Sequence, residues 1–323
     1  MSSHSAPSCA ILVPVHFPAD VDERVIRDTL EGTLKGQDAF CPPGQTLLVV
    51  DRGTAAERVL ESAESGSPLA GLPICRLPCN RGKTEAVRAG LSLLLESSTA
   101  PLFITRDCDG DHAVEDLARL LRMAQDAFQG DSQPLSVFGA RLSWEKPMGW
   151  LRQEWERLSN RVLLDMTEYL AARQGSVLDR RFWGGLELDV QSGYRLYNRL
   201  AARLAVESLS GLPDDAEVYS LACEMLPFVE LSLKGGRLAQ VQTLTRLGQP
   251  FSSYSGLTWP RHYGRLLAYA AQRYGVQAEI LLKIFDNHLT ECPLYWSAHR
   301  QEVLLCRSLL APDAPLPDLP TVR

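Results

Sequence analysis

The chain has no long apolar run. None approaches the roughly 18–20 residues that a membrane-spanning helix requires, so no transmembrane segment is expected. It also lacks a basic surplus: 33 Lys and Arg face 39 Asp and Glu, for a net charge of −6. A nucleic-acid binder normally shows a basic footprint, so no nucleic-acid partner is expected, and nothing in the overall charge draws the chain to anionic lipid. The first residues, Met1-Ser-Ser-His-Ser-Ala-Pro-Ser, have neither the basic nor the apolar region of a signal peptide. A cytoplasmic protein is therefore expected. Of eight cysteines only Cys75 and Cys79 are closely spaced. A structural zinc site usually needs two such pairs, so free thiols in a reducing compartment are the simpler reading. Internal repeats and low-complexity blocks are absent as well.

What is present is an ordinary globular composition, 45% hydrophobic and 22% charged over 323 residues, enough to bury a sizeable core. Continuous apolar runs at 10–17, 46–50, 102–105 and 135–141, with a weaker one at 72–77, read as buried strands. Helical spacing lies between them, at 21–34, 55–62, 85–95 and 112–128. Alternation of this kind predicts an α/β fold, a mostly parallel central sheet flanked by helices. Ligands bind such sheets at the carboxyl ends of the strands. The second half is different: a long charged helix at 150–173, a Gly184-Gly185 break, helices near 198–208 and 217–233, and a helical region from Trp259 to Leu310. A Pro-rich tail follows at 311–320, where a loose end is expected.

The most informative stretch is Asp107-Cys-Asp109-Gly-Asp111-His112, directly after the apolar run Leu102-Phe-Ile-Thr. Carboxylates at alternate positions just past a strand end share a face. They repel one another unless a cation sits among them. A hard divalent ion, Mg²⁺ or Mn²⁺, held by one or two carboxylates plus phosphate oxygens, is the matching partner. An ordinary acidic turn is the alternative.

Six motifs then fall in order: Pro14-Val15-His16, Asp51-Arg52-Gly53-Thr54, Asn80-Arg81-Gly82-Lys83, Asp107-Cys108-Asp109, Gly139-Ala140-Arg141 and Asp189-Val-Gln-Ser-Gly-Tyr194. Together, over about residues 9–255, they resemble the family 2 glycosyltransferases of GT-A fold. The last motif is most similar to the dolichyl- or polyprenyl-phosphate sugar synthase branch. The resemblance implies a GT-A domain at 1–255, with a nucleotide-sugar half at about 9–141 and an acceptor half at about 142–255, followed by a helical extension at 256–323. It implies a metal-dependent hexosyltransferase that moves a sugar from a UDP- or GDP-linked donor, with inversion, to a polyprenyl phosphate or a soluble hydroxyl compound. A lipid-phosphate acceptor would bring the protein to the membrane surface.

By the same resemblance, Pro14, Val15, His16, Asp51, Arg81, Lys83 and Asp107 bind the donor. Asp107 and Asp109 hold the divalent metal. Arg141, Arg195 and Arg246 clamp phosphate, as the planar guanidinium allows, and Asp189 is the general base. Asp111 and His112 are expected only to start the next helix. Each residue also has a plainer reading. Lys83 can be a solvated helix-end lysine, Asp51 a helix N-cap, Pro14 and Val15 strand interior, and Asp189 a turn carboxylate. Arg52 departs from the family's second Asp. Trp144, Trp150, Trp155 and Trp183 can build an acceptor pocket, a homodimer surface or simple helix packing. A nucleotidyltransferase is the rival enzyme, although its Gly-rich loop after the first strand is missing at His16-Phe-Pro-Ala-Asp20. A catalytically silent GT-A domain used as a scaffold is the non-enzymatic rival.

Overall fold

The computed structural model describes residues 9–127, 133–142, 149–185, 187–244 and 258–311. Seven strands form one sheet: β1 (Cys9–Val15), β2 (Thr46–Asp51), β3 (Ile74–Leu77), β4 (Leu102–Thr105), β5 (Leu135–Arg141), β6 (Arg195–Asn198) and β7 (Arg237–Thr243). Their spatial order is β3-β2-β1-β4-β6-β5-β7. The pairs β1–β2, β1–β4, β2–β3 and β5–β7 are parallel. Only β6 runs against its neighbours β4 and β5. The mostly parallel α/β sheet expected from the sequence is present. The apolar runs predict β1 to β5, but not β6 or β7.

The helices are α1 (Glu23–Leu34), α2 (Ala55–Glu61), α3 (Lys83–Ser97), α4 (Leu117–Ala127), α5 (Trp150–Arg173), α6 (Arg199–Ser208), α7 (Ala216–Leu233), α8 (Trp259–Tyr274), α9 (Ala278–Leu289) and α10 (Arg300–Leu310). They divide between two cores, one on each face of the sheet. Alternation along β1 shows why: Ala10 and Leu12 point into the core that takes in α3 and α5 to α10, while Cys9, Ile11 and Val13 point into the core of α1, α2 and α4. Each such aliphatic side chain, fully buried, contributes roughly 1.5–3 kcal/mol. Helix α3 lies close on the sheet because residue 90 is glycine. A Cβ there would collide with Leu12 Cδ1 and come within 2.9 Å of Val49 Cγ2.

Residues 258–311 are mostly helical, as expected, and their side chains enter the same core as the sheet: Tyr263, Leu266, Phe285 and Val303 are all buried there. Trp155 and Trp183 are buried in it too, so these two serve packing, whereas Trp150 is exposed. Trp144 lies outside the described residues. Among the described residues no helix is long and apolar enough to cross a membrane. All eight cysteines are free thiols.

Candidate functional site

Inserting β6 antiparallel between β4 and β5 assembles the site. Thr105, the last residue of β4, pairs with Arg195, the first of β6. The stretch Asp189–Tyr194 therefore arrives at the sheet edge where β1, β2, β4 and β5 end. Thr105 Oγ1 donates to the Gly193 carbonyl at 3.1 Å and fixes that meeting.

Lys83, the first residue of α3, stands at the centre. Its Nζ lies 2.7 Å from Asp107 Oδ1 and 2.9 Å from Glu224 Oε1 on α7. His112 Nε2 is 3.6 Å from the other Asp107 oxygen. Gly193 covers this group so closely that a Cβ would come within 2.7 Å of both Lys83 Nζ and Asp107 Oδ1. Burial alone would raise the Asp107 carboxyl, but Lys83 and His112 outweigh it and hold it well below the usual carboxylate range. Its neighbours go the other way. Burial, and then Asp107, push Asp109 upward. Burial, and then Asp109, push Asp111 up to about 7.

This turn gathers acidic side chains whose donor set can be compared with what a divalent cation needs. Asp111 Oδ1 and His112 Nδ1 are buried without hydrogen-bond partners, and the charge of Asp107 disfavours ionised Asp109 as that of Asp109 disfavours ionised Asp111. Among the described residues, however, no group of three or more His, Cys, Asp or Glu side chains converges as a ready metal cage. The residues suit Mg²⁺ or Mn²⁺ held by one or two carboxylates and completed by phosphate oxygens, rather than a dedicated protein cage.

At the β1 and β2 ends, Pro14 and Val15 are buried strand residues and His16 is exposed. His16 Nδ1 lies 3.9 Å from Asp51 Oδ2 and 3.5 Å from Asn80 Nδ2. Burial raises the Asp51 carboxyl and His16 partly offsets it. Asp51 is not a helix cap, because Thr54 caps α2 by accepting from Glu57 N–H. Arg81 is exposed, 3.5 Å from Asp214 and over the Tyr219 ring.

The expectations for Arg141, Asp189, Arg195 and His112 need correction, and that for Arg246 falls outside the described residues. Arg141 is buried and pointed at protein: its Nε and Nη2 donate to Asp189 at 2.7 and 2.6 Å, and Nη2 also meets Glu156 at 2.7 Å. Asp189 further accepts from the Arg141 backbone N–H, so both its oxygens are taken. Neither residue stands free as a clamp or a base in this arrangement. Arg195 is buried as well, donating to the carbonyls of Ser192, Val190 and Cys223. Arg246 lies outside the described residues. His112 does not start the helix: a short 3₁₀ turn, Val114–Asp116, intervenes and α4 begins at Leu117. His112 is instead buried against Tyr194, ring centroids 4.9 Å apart.

No family model matches the sequence, and no curated protein matches it. Among solved structures, the chain is similar to the glucosyl-3-phosphoglycerate synthase of M. tuberculosis, with a TM-score of 0.51 at 14% identity over 84% of this chain and 82% of that one. The fold is GT-A. A weaker likeness, to S. aureus TarS 1-349, has a TM-score of 0.46 at 10% identity over 91% of this chain and 73% of that one, and adds nothing to the assignment.

Within the GT-A frame, two residues matter that the motifs did not point to. Glu224 is a lone carboxylate in the apolar run Leu221-Ala-Cys-Glu-Met-Leu-Pro-Phe-Val229. A charge in such a run is rarely buried unless paired, and that was the available signal. Arg106 is almost fully buried beneath the acidic turn, donating to Gln37 at 3.2 Å and to the His112 carbonyl at 2.5 Å. An arginine next to a strand end carries no comparable signal, since its direction depends on packing.

Proposed function

We propose that this protein is a glycosyltransferase that moves a sugar from a UDP- or GDP-linked donor to an acceptor. The observation that carries the reading is the meeting of Lys83 with the Asp107–Asp111 turn at the carboxyl edge of a GT-A sheet. A departing nucleoside diphosphate gathers negative charge. Lys83 and the first backbone N–H groups of α3 sit where they would neutralise it. Asp107 and Asp109 would hold Mg²⁺ or Mn²⁺, which supplies Lewis-acid charge neutralisation on the diphosphate. Asp51, with His16 and the Pro14–Val15 backbone, would take the nucleoside, and Arg81 would guard the open side of the diphosphate. Transfer with inversion, in the cytoplasm or at a membrane surface, belongs to the same reading.

Asp189 is assigned an orienting role. Accepting a proton from a hydroxyl would require it to give up its buried pair with Arg141. An acceptor that arrives ionised, such as a lipid or soluble phosphate, needs no base, and the occupied carboxylate favours that acceptor class.

The test is release of nucleoside diphosphate from a panel of UDP- and GDP-sugars, with and without Mn²⁺, followed by chromatography. Metal-dependent release from one donor is expected, accelerated by a phosphate-bearing acceptor. Formation of a nucleotide-sugar and pyrophosphate from a nucleoside triphosphate and a sugar 1-phosphate, with no such release, would replace this reading with a nucleotidyltransferase.

A further inference from the structure

The two carboxylates that hold Lys83 are not equivalent. The Asp107 side chain is 26% exposed and that of Glu224 is 5% exposed. Glu224 is also fixed by its neighbour. The Cys223 N–H donates to Thr84 Oγ1 at 3.1 Å, and Thr84 follows Lys83 in the chain. Residues 83–84 and 223–224 thus form a clasp of two parallel contacts between α3 and α7.

A third element braces it. Pro227 lies inside α7 and has no N–H, so the Cys223 carbonyl four residues earlier has no helical partner. Arg195 Nη1 donates to that carbonyl at 3.3 Å. Removing the cation from a buried carboxylate is strongly unfavourable. A carboxylate at the solvent edge can change partners far more easily.

We infer that Glu224 is a positioning residue for Lys83 and that Asp107 is its exchangeable partner. When a nucleoside diphosphate arrives, the Lys83–Asp107 contact opens and the Lys83–Glu224 contact persists. The freed N–H of the ammonium turns to the diphosphate. This rests on the nucleotide-sugar reading, and it adds to it a residue that no motif of the sequence marks.

The inference predicts a result opposite in sign to simple charge counting. Deleting a carboxylate near an anion site ordinarily tightens anion binding. Glu224→Gln is expected to weaken it, because Lys83 then settles on Asp107. Isothermal titration calorimetry of the full chain with UDP and with GDP, in EDTA, reads this without turnover. Glu224→Gln should weaken binding by about tenfold, the loss of one charge-assisted contact, and Asp107→Asn should tighten it severalfold.

In a Lys83→Met background, Glu224→Gln should lose its weakening effect. Glu224→Asp keeps the charge but shortens the reach, so it should also weaken binding, which keeps the test open if the glutamine variant folds poorly. Glu224→Gln binding as tightly as wild type, or weakened equally without Lys83, would overturn the inference alone. Wild-type protein that binds neither UDP nor GDP, in EDTA or with Mn²⁺, would overturn the nucleotide-sugar reading and this inference with it.

Discussion

Two charge clusters share one edge of the sheet and differ in how they are closed. Around Arg141 the carboxylates are both buried: Asp189 and Glu156 face the guanidinium, and Glu156 takes Arg152 on its second oxygen at 2.7 Å. Around Lys83 the two carboxylates are uneven, Glu224 buried and Asp107 partly exposed, and burial pushes the neighbouring carboxylates upward, helped at Asp109 by Asp107 and at Asp111 by Asp109. A closed cluster holds elements in place. An open one leaves an electrostatic demand that a ligand can meet. The difference separates scaffold from site more reliably than residue type does, since each cluster sets one cation between an aspartate and a glutamate.

Breaking the closed cluster should give the largest effect on stability. Arg141→Met leaves Asp189 and Glu156 without their shared cation, and should cost about 3–5 kcal/mol in urea unfolding. A loss below ~1 kcal/mol would mean that this cluster is not a structural one.

In the open cluster the sign should differ. Asp109→Ala removes a carboxylate that burial and Asp107 already disfavour, so thermal stability should hold or rise. Metal-dependent binding of the nucleotide-sugar should fall about 100-fold, or ~2.7 kcal/mol, by calorimetry with and without Mn²⁺. Equal metal-dependent binding would remove Asp109 from the site.

Gly193→Ala probes the lid of the open cluster. Its Cβ would come within 2.7 Å of Lys83 Nζ, so one of them must move, at roughly 1–3 kcal/mol of overpacking. Turnover should fall more than nucleotide affinity, since the displaced atoms are those proposed to face the diphosphate. The smallest effect is expected at the exposed His16. His16→Ala should leave stability within about 0.5 kcal/mol and raise the donor KM only a few-fold. A large loss of kcat there would move the chemistry toward the β1 end.

Much of this was legible in the sequence, for physical reasons. Strands β1, β2, β4 and β5 are buried on both faces and so read as apolar runs. Strands β6, Arg195-Leu-Tyr-Asn198, and β7, Arg237-Leu-Ala-Gln-Val-Gln-Thr243, have polar residues at every second or third position and show no such run. The antiparallel insertion of β6 was therefore invisible, although it brings Gly193 over Lys83. Motif spacing located Lys83 and the acidic turn. It could not tell which way an arginine points, so Arg141 and Arg195 looked like phosphate clamps while their guanidinium groups are turned to Asp189 and to backbone carbonyls. Glu224 was missed because it reaches Lys83 across 141 residues of chain, a contact that only the fold creates.

The central claim is that the open cluster around Lys83 and Asp107 is a nucleotide-diphosphate site. The most direct measurement is thermal unfolding of the wild-type chain with UDP-, GDP- and other nucleotide-sugars, each with and without Mn²⁺. A ligand that binds only the folded state raises apparent stability, by about 2.7 kcal/mol at a hundred times its Kd. If the cluster binds a nucleoside diphosphate, Tm rises with one donor class, more with Mn²⁺, and the rise is lost in Lys83→Met. An unchanged Tm with every nucleotide, with and without the metal, would contradict it.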